Sequence, residues 1–219
     1  MARLARITQA EAERGIYFDY EGNVDAAPAI LGWGYENAVR HVIVDAALAP
    51  LAELENPKHD VQRASLDEAL VEMAAVAKRD DRRVFGFTRH EVSQTAVYCT
   101  DQTVVEWMDQ HYVNAKLYID RWVRHLVEVG EIQEPTDKSL LTRMPLVGMV
   151  YTPSRGPGIV GPGLTRLRGQ LERYGEADLI TGGAKRHWWR IIGHNASDVL
   201  ATQQLTVAAV AHLYGQKQV

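Results

Sequence analysis

The chain has 219 residues, 46% of them hydrophobic and 24% charged, and a formal net charge of −4 at pH 7. That composition describes one globular domain long enough to bury a core without staples. The negative balance argues against a general polyanion-binding surface, and the single cysteine, Cys99, excludes a disulfide framework and a thiolate zinc site.

No apolar run approaches the ~18–20 residues that a bilayer span requires. The opening MARLARITQAEAERG holds no apolar block for a signal peptide, and residues 1–14 read as an N-terminal extension. The expectation is a cytoplasmic protein without a membrane partner. IYFDY at 16–20 is an apolar strand signal closed by Gly22 and Asn23, and AILGWGY at 29–35 is a second. AVRHVIVDAAL at 38–48 is β-rich and predicts a third strand paired with the second, so the domain opens on an antiparallel meander.

Helical periodicity then takes over at 64–80, where Leu66, Leu70, Met73, Ala74 and Ala77 share a face and Ser65 with Glu68 forms a capping-box pattern. RVFGF at 83–87 predicts a short buried strand and 90–98 a helix. The stretch 103–130 is helical in most windows, and within it AKLYID fits a strand as well as a helix, since Leu117 and Ile119 alternate with polar or aromatic neighbours. LVGMVYTPSRGPGIVGPG at 146–163 has five glycines and three prolines in eighteen residues and predicts a long loop, centred on 152–163. A short amphipathic helix at 164–175, a Gly-rich turn at 182–183 and a last helix starting near Asn195 complete the chain. The fold class is therefore α/β, one mixed sheet with an antiparallel edge, flanked by helices.

Four acids fall at the ends or starts of these elements. Asp19 and Glu21 flank Tyr20, so a strand aims both at one face. Two carboxylates on one side of a central strand repel each other and resist desolvation unless a cation lies between them. Glu91 opens the helix after the fourth strand, and Asp198 lies four residues after His194, on the same helical face. Oxygen ligands without cysteine suit Mg²⁺ or Mn²⁺, and two such ions about 3.5–4 Å apart clamp both oxygens of a phosphodiester displacement. His194, with an ordinary pKa near 6.5, suits the task of orienting or deprotonating the attacking water.

YFDYEGN at 17–23 resembles the first motif of the DEDD exonuclease superfamily, whose fold is RNase H-like. HNASD at 194–198 is similar to the Tyr-x-x-x-Asp motif on the final helix of its tyrosine subgroup, with His194 in place of the tyrosine. The histidine subgroup sets its His five residues before the Asp. VFGFTRHEVSQTAV resembles the RNase-H-like domain of RecB-associated bacterial nucleases, where a Glu fills the middle slot, here Glu91. IYFDYEG and IIGHNASDVLATQQL fit that branch's FDIEG and Tyr-Asn-x-x-Asp patterns. KSLLTRMPLVG at 138–148 is similar to the Ser-Leu-Lys helix before its last motif, with Leu141 replacing the lysine.

The resemblance spans Ile16 to about Val210. It implies a 3′–5′ exonuclease acting on the 3′ end of single-stranded DNA or RNA, with Asp19, Glu21, Glu91 and Asp198 as ligands of two ions. A binding or assembly module that keeps the fold without catalysis, and a phosphodiesterase for short oligonucleotides, stay open beside it, as does a homo-oligomer.

Bland roles compete at each position. Asn195 or Ser197 would cap the last helix, with Asp198 favoured at its positive end. Asp45 reads as a turn initiator, His90 as a surface residue and Asp120 as a solvent-facing acid. Seven Arg or Lys against three acids between Arg155 and Arg190 make a basic stretch, in which Arg155, Lys185 and Arg186 are candidates for phosphate contact. Trp188 or Trp189 is a candidate for stacking on a base, against core packing or a subunit contact.

Overall fold

The computed structural model describes residues 6–23, 25–150, 158 and 160–215. β1 (Ile16–Gly22), β2 (Pro28–Tyr35) and β3 (Ala38–Ile43) form the anticipated antiparallel meander. Its tight turn is made by Glu36 and Asn37, both in the left-handed region (φ 53° and 64°), the conformation that matches the twist of a two-residue hairpin. β5 (Val84–Gly86) adds to β1 in parallel, and β6 (Tyr112–Asn114) adds to β5 in parallel. On the other side β4 (Asp60–Arg63), which the sequence did not announce, pairs in parallel with β3. The six-stranded mixed sheet has the order β4-β3-β2-β1-β5-β6, so the strand carrying Asp19 and Glu21 is interior.

Alternation along β1 divides the core. Ile16 and Phe18 face α2 (Leu66–Arg79) and α4 (Gln102–His111) in a cluster with Leu31, Trp33, Val42, Leu70 and Met73. Tyr17 faces the opposite side and stacks on Phe85 at 4.7 Å, packed by α5 (Ala115–Glu128) and by the long α8 (Gly182–Gly215). Burying side chains of this size contributes roughly 1.5–3 kcal/mol each, and this fixes which way Asp19 and Glu21 must point. The Ser65 hydroxyl and Glu68 carboxylate close the predicted capping box at the start of α2.

Several boundaries differ from the sequence reading. The third strand stops at Ile43, and Ala46–Glu53 is a 3-10 helix capped by Asp45, whose Oδ1 accepts from the Ala47 amide at 2.9 Å. Asp45 therefore does start a turn, and it also pairs with Arg168 at 2.7 Å. The stretch at 103–130 is two helices with β6 between them; the hidden strand lies just before AKLYID, which itself is helical. Three residues carry too little periodicity to be seen, and pairing with β5 supplies what local pattern does not.

The loop expected at 152–163 lies mostly outside the described residues, but 160–163 already belong to α7 (Val160–Tyr174), with Pro162 in the first turn where a missing N–H costs nothing. Gly182 and Gly183 are not a turn: they open α8, which the Thr181 hydroxyl caps by accepting from the Ala184 amide at 3.2 Å. α8 thus begins well before Asn195, and its polar residues lie mid-helix against the sheet. No helix of the described residues is long and apolar enough to cross a membrane.

Candidate metal centre

Asp19 and Gly32 sit opposite each other in the β1–β2 ladder. A Cβ on Gly32 would lie 1.7 Å from Asn195 Oδ1, so only glycine lets α8 lie this close to the sheet. Asn195 is fully buried in that notch and donates its Nδ2 to Asp19 Oδ2 at 3.0 Å and to the Asp19 carbonyl at 3.3 Å. The capping role assigned to Asn195 or Ser197 is therefore wrong. Asn195 braces an acid across the sheet, and the Ser197 hydroxyl donates back to the Gly193 carbonyl at 2.7 Å within the helix. Asp198 correspondingly gains nothing from a helix N-terminus, since it lies in the middle of α8.

His194 and Asp198 are one turn apart on α8 and reach Glu21 together. His194 Nε2 is 3.7 Å from Glu21 Oε1, and Nδ1 is 3.7 Å from Asp198 Oδ1. One ligating atom from each of the three lies within 4.8 Å of the others. Glu21 Oε1 is buried and has no hydrogen-bond partner, an orphaned acceptor in a place where an ionised oxygen is costly.

Burial and mutual repulsion set the electrostatics of these acids. Burial pushes the Glu21 carboxyl up to about 8, the Asp198 charge adds to this, and the Asn195 hydrogen bond eases it. Burial likewise raises Asp198 to about 7. Asp19 is raised well above the carboxylate range by burial first, then by Glu21, Asp198 and Glu91, with the Asn195 hydrogen bond opposing. Burial depresses His194, so its imidazole is neutral at pH 7.

Glu91 comes from the first turn of α3 (His90–Tyr98) and is only 5% exposed. Its Oε2 accepts from the Thr88 amide at 3.2 Å, the Thr88 hydroxyl at 3.1 Å and the Tyr112 hydroxyl at 3.3 Å. Burial raises its pKa against the Thr88 hydrogen bonds, and its charge is felt at Asp19. Gly86 makes the room: a Cβ there would lie 2.7 Å from the Tyr112 hydroxyl and 3.2 Å from Glu91 Cδ. The structure thus brings Glu21, His194 and Asp198 together, with Asp19 next but one to Glu21 on β1 and Glu91 acting on Asp19 through its charge. It adds Asn195, Thr88 and Tyr112, for which the only sequence signal was a glycine inside each of two strands.

The carboxylate-rich donor set, its mutual repulsion and the orphaned Glu21 oxygen fit a hard divalent cation, which would relieve both the repulsion and the orphaned acceptor. His194 adds a nitrogen that such a site can use.

The candidates for nucleic-acid contact fare differently. Trp188 is fully buried with Leu164, Leu167, Ile191 and Ile192, which rules out stacking on a base and bears out the core alternative. Trp189 is half-buried and stacks on His59 at 5.9 Å. Lys185 pairs with Asp178 at 3.2 Å, and Arg186 is exposed. Both lie two to three turns before His194 on α8, roughly 12 Å along the axis. Arg155 lies outside the described residues. His90 is exposed as expected, whereas Asp120 is no solvent-facing acid: it binds Arg143 at 3.2 Å and Lys116 at 3.3 Å. No family model, no curated protein and no solved structure matches the chain.

Proposed function

We propose that this chain is a metal-dependent 3′–5′ exonuclease with an RNase H-like domain, hydrolysing the terminal phosphodiester bond of single-stranded DNA or RNA. The observation that carries the reading is the convergence of Glu21, from β1, with His194 and Asp198, from α8, whose donor atoms lie within 4.8 Å of one another around an unpartnered Glu21 oxygen. A cation completing the cluster would offset the repulsion and desolvation of its carboxylates.

Asp19, Glu21, Glu91 and Asp198 would hold two Mg²⁺ or Mn²⁺ ions, which when bound supply charge stabilisation at the phosphoryl oxygens and a water of lowered pKa. The chain's own residues do the rest. Asp19 and Glu21 are fixed by an interior strand, so the donors are positioned before substrate arrives. Thr88 and Tyr112 hold the Glu91 carboxylate, chiefly through Oε2, with the Thr88 amide also reaching Oε1 at 3.5 Å. His194, kept neutral by burial, accepts a proton from the attacking water. The 3′–5′ direction and the polymer substrate come from the resemblance of the three motifs.

The test is digestion of 5′-labelled single-stranded DNA and RNA oligonucleotides with Mn²⁺, with Mg²⁺ and with EDTA, beside the Asp19→Asn variant. A ladder shortening from the 3′ end, absent in EDTA and in the variant, is the expected result. No cleavage by folded protein with either metal points to a binding or assembly module, and cleavage confined to the shortest oligonucleotides points to an oligonucleotide phosphodiesterase.

The 4.8 Å spacing of the Glu21, His194 and Asp198 donor atoms favours a second reading of the histidine, as a metal ligand. Imidazole prefers softer ions than Mg²⁺. A ligand role predicts that His194→Gln weakens Mn²⁺ binding itself, whereas a base role predicts unchanged binding and the loss of its share of the acidic limb of the cleavage profile.

A further inference from the structure

We infer that Asn195 is a positioning residue of the centre: seated in the notch at Gly32, it orients Asp19, and through it the face shared with Glu21, toward the cation. The inference rests on the metal-centre reading above and goes beyond it, because no ligand role in the resemblance or the carboxylate chemistry falls on this residue.

Three observations carry it. The first is the bond itself, a contact of 3.0 Å from Nδ2 to Asp19 Oδ2, doubled by the 3.3 Å contact to the Asp19 carbonyl. The amide grips main chain and side chain of one residue together, which ties Asp19 Oδ2 to the backbone of its own strand. The second is the cost the protein accepts for this arrangement. Asn195 Oδ1 is buried without a partner, directed at Gly32. Turning the amide over would place that oxygen against the Asp19 carboxylate instead, so the anion dictates the orientation at the expense of an orphaned carbonyl. The third is the local architecture. Gly32 lies opposite Asp19 in the ladder, and any side chain there would strike the amide, so strand and helix are matched at this one point.

Asn195 also lies between the two α8 residues that meet Glu21. One turn of helix therefore addresses both acids of β1, with His194 and Asp198 against Glu21 and Asn195 against Asp19. A hydrophobic residue at 195 would pack as well in the notch, but it would leave Asp19 free to rotate toward Glu21 or into the space of the ion.

The experiment is calorimetric titration of Mn²⁺ alone into wild type, Asn195→Ala, Gly32→Ala, the double variant Gly32→Ala/Asn195→Ala, and Asp19→Asn, with melting in EDTA measured in parallel. Loss of an outer-shell partner of a ligand typically costs 10–100-fold in metal affinity, so Asn195→Ala should bind Mn²⁺ at least ~10-fold more weakly. Gly32→Ala should lose both affinity and melting temperature. The double variant, with the clash removed, should regain melting temperature without regaining affinity, a split that a purely structural role for Asn195 would not produce. Affinity of Asn195→Ala within twofold of wild type, or recovery of affinity in the double variant, overturns this inference while the metal centre stands. Absence of Mn²⁺ binding by wild type overturns the metal-centre reading and this role with it.

Discussion

Removing a charge from the centre should stabilise the metal-free protein while abolishing its response to metal, and Asp198→Asn is the sharpest case. Glu21 and Asp198 offer oxygens within 4.8 Å of each other, both largely withdrawn from water. At an effective dielectric constant near 20, two full charges at that separation repel by roughly 3.5 kcal/mol. The folded protein avoids much of this by keeping protons, since Glu21 and Asp198 titrate at about 8 and about 7. At pH 8 both are substantially ionised, and the neutral amide should relieve about 1–2 kcal/mol of repulsion and desolvation. For a chain of this size each kcal/mol shifts the melting temperature by about 2–4 °C, so Asp198→Asn should melt about 2–8 °C above wild type in EDTA at pH 8. Millimolar Mn²⁺ should reverse the order: wild type gains RT ln(1 + [L]/Kd), about 2.7 kcal/mol at a hundred times Kd, and the variant gains little. Scanning calorimetry at both conditions decides the matter. A variant that melts below wild type in EDTA, or one that Mn²⁺ stabilises as strongly as wild type, would falsify the view that this cluster is a cation site left under electrostatic strain.

Other outcomes follow from the same contacts. Because the folded pKa values of Glu21 and Asp198 lie above their unfolded values, the folded state holds extra protons; that contribution is full below about pH 4 and is lost as pH rises through about 7 and about 8. Melting of the metal-free protein should therefore fall from pH 5 to pH 8, while the stabilisation given by Mn²⁺ grows over the same range, since ligands must be deprotonated; a flat profile in EDTA would contradict the burial of these acids. Gly86→Ala should break the Tyr112–Glu91 contact and lower cleavage by about tenfold or more, at the cost of one charge-assisted hydrogen bond of about 1.5–3 kcal/mol; activity equal to wild type would show that Glu91 needs no such brace. Ser65→Ala removes the cap of α2 far from the centre and should cost about 1 kcal/mol while leaving Mn²⁺ affinity unchanged. Trp188→Phe should leave oligonucleotide affinity unaltered, because the ring is fully buried; a tenfold loss measured by fluorescence anisotropy would contradict that placement.

The meander, the capped α2 and the helix at α3 were legible because each satisfies local and global preferences together: alternation in IYFDYEG, a turn at Glu36–Asn37, a Ser-x-x-Glu box before an apolar stripe. β4 and β6 were not. Four residues reading DVQR, with their exposed burial pattern, and three reading YVN carry no periodicity of their own and become strands only because β3 and β5 offer parallel edges to pair with. The start of α8 failed for the opposite reason. Two glycines and the polar run at 194–198 look like breakers, and a helix 34 residues long overrides them once Trp188, Ile191 and Ile192 are buried on one side.

That failure explains why the acids of the centre could be found and their braces could not. Asp19 and Glu21 show in the sequence because charge inside an apolar strand is conspicuous, Glu91 because it opens a helix, and Asp198 because it falls four residues after His194. Asn195 does not, because Asn beside Ser and Asp reads as a cap wherever a helix is thought to begin, and moving the helix start to Gly182 is what turns a surface role into a buried one. Gly32 and Gly86 held the missing information: a glycine inside a strand signals that something approaches the backbone closely. In this protein both are filled by the side chains that hold an acid, Asn195 at Gly32 and the Tyr112–Glu91 pair at Gly86. Each notch seats a side chain that bonds a carboxylate, so these two acids are positioned by α8 and by β6 rather than by anything local to their own segments.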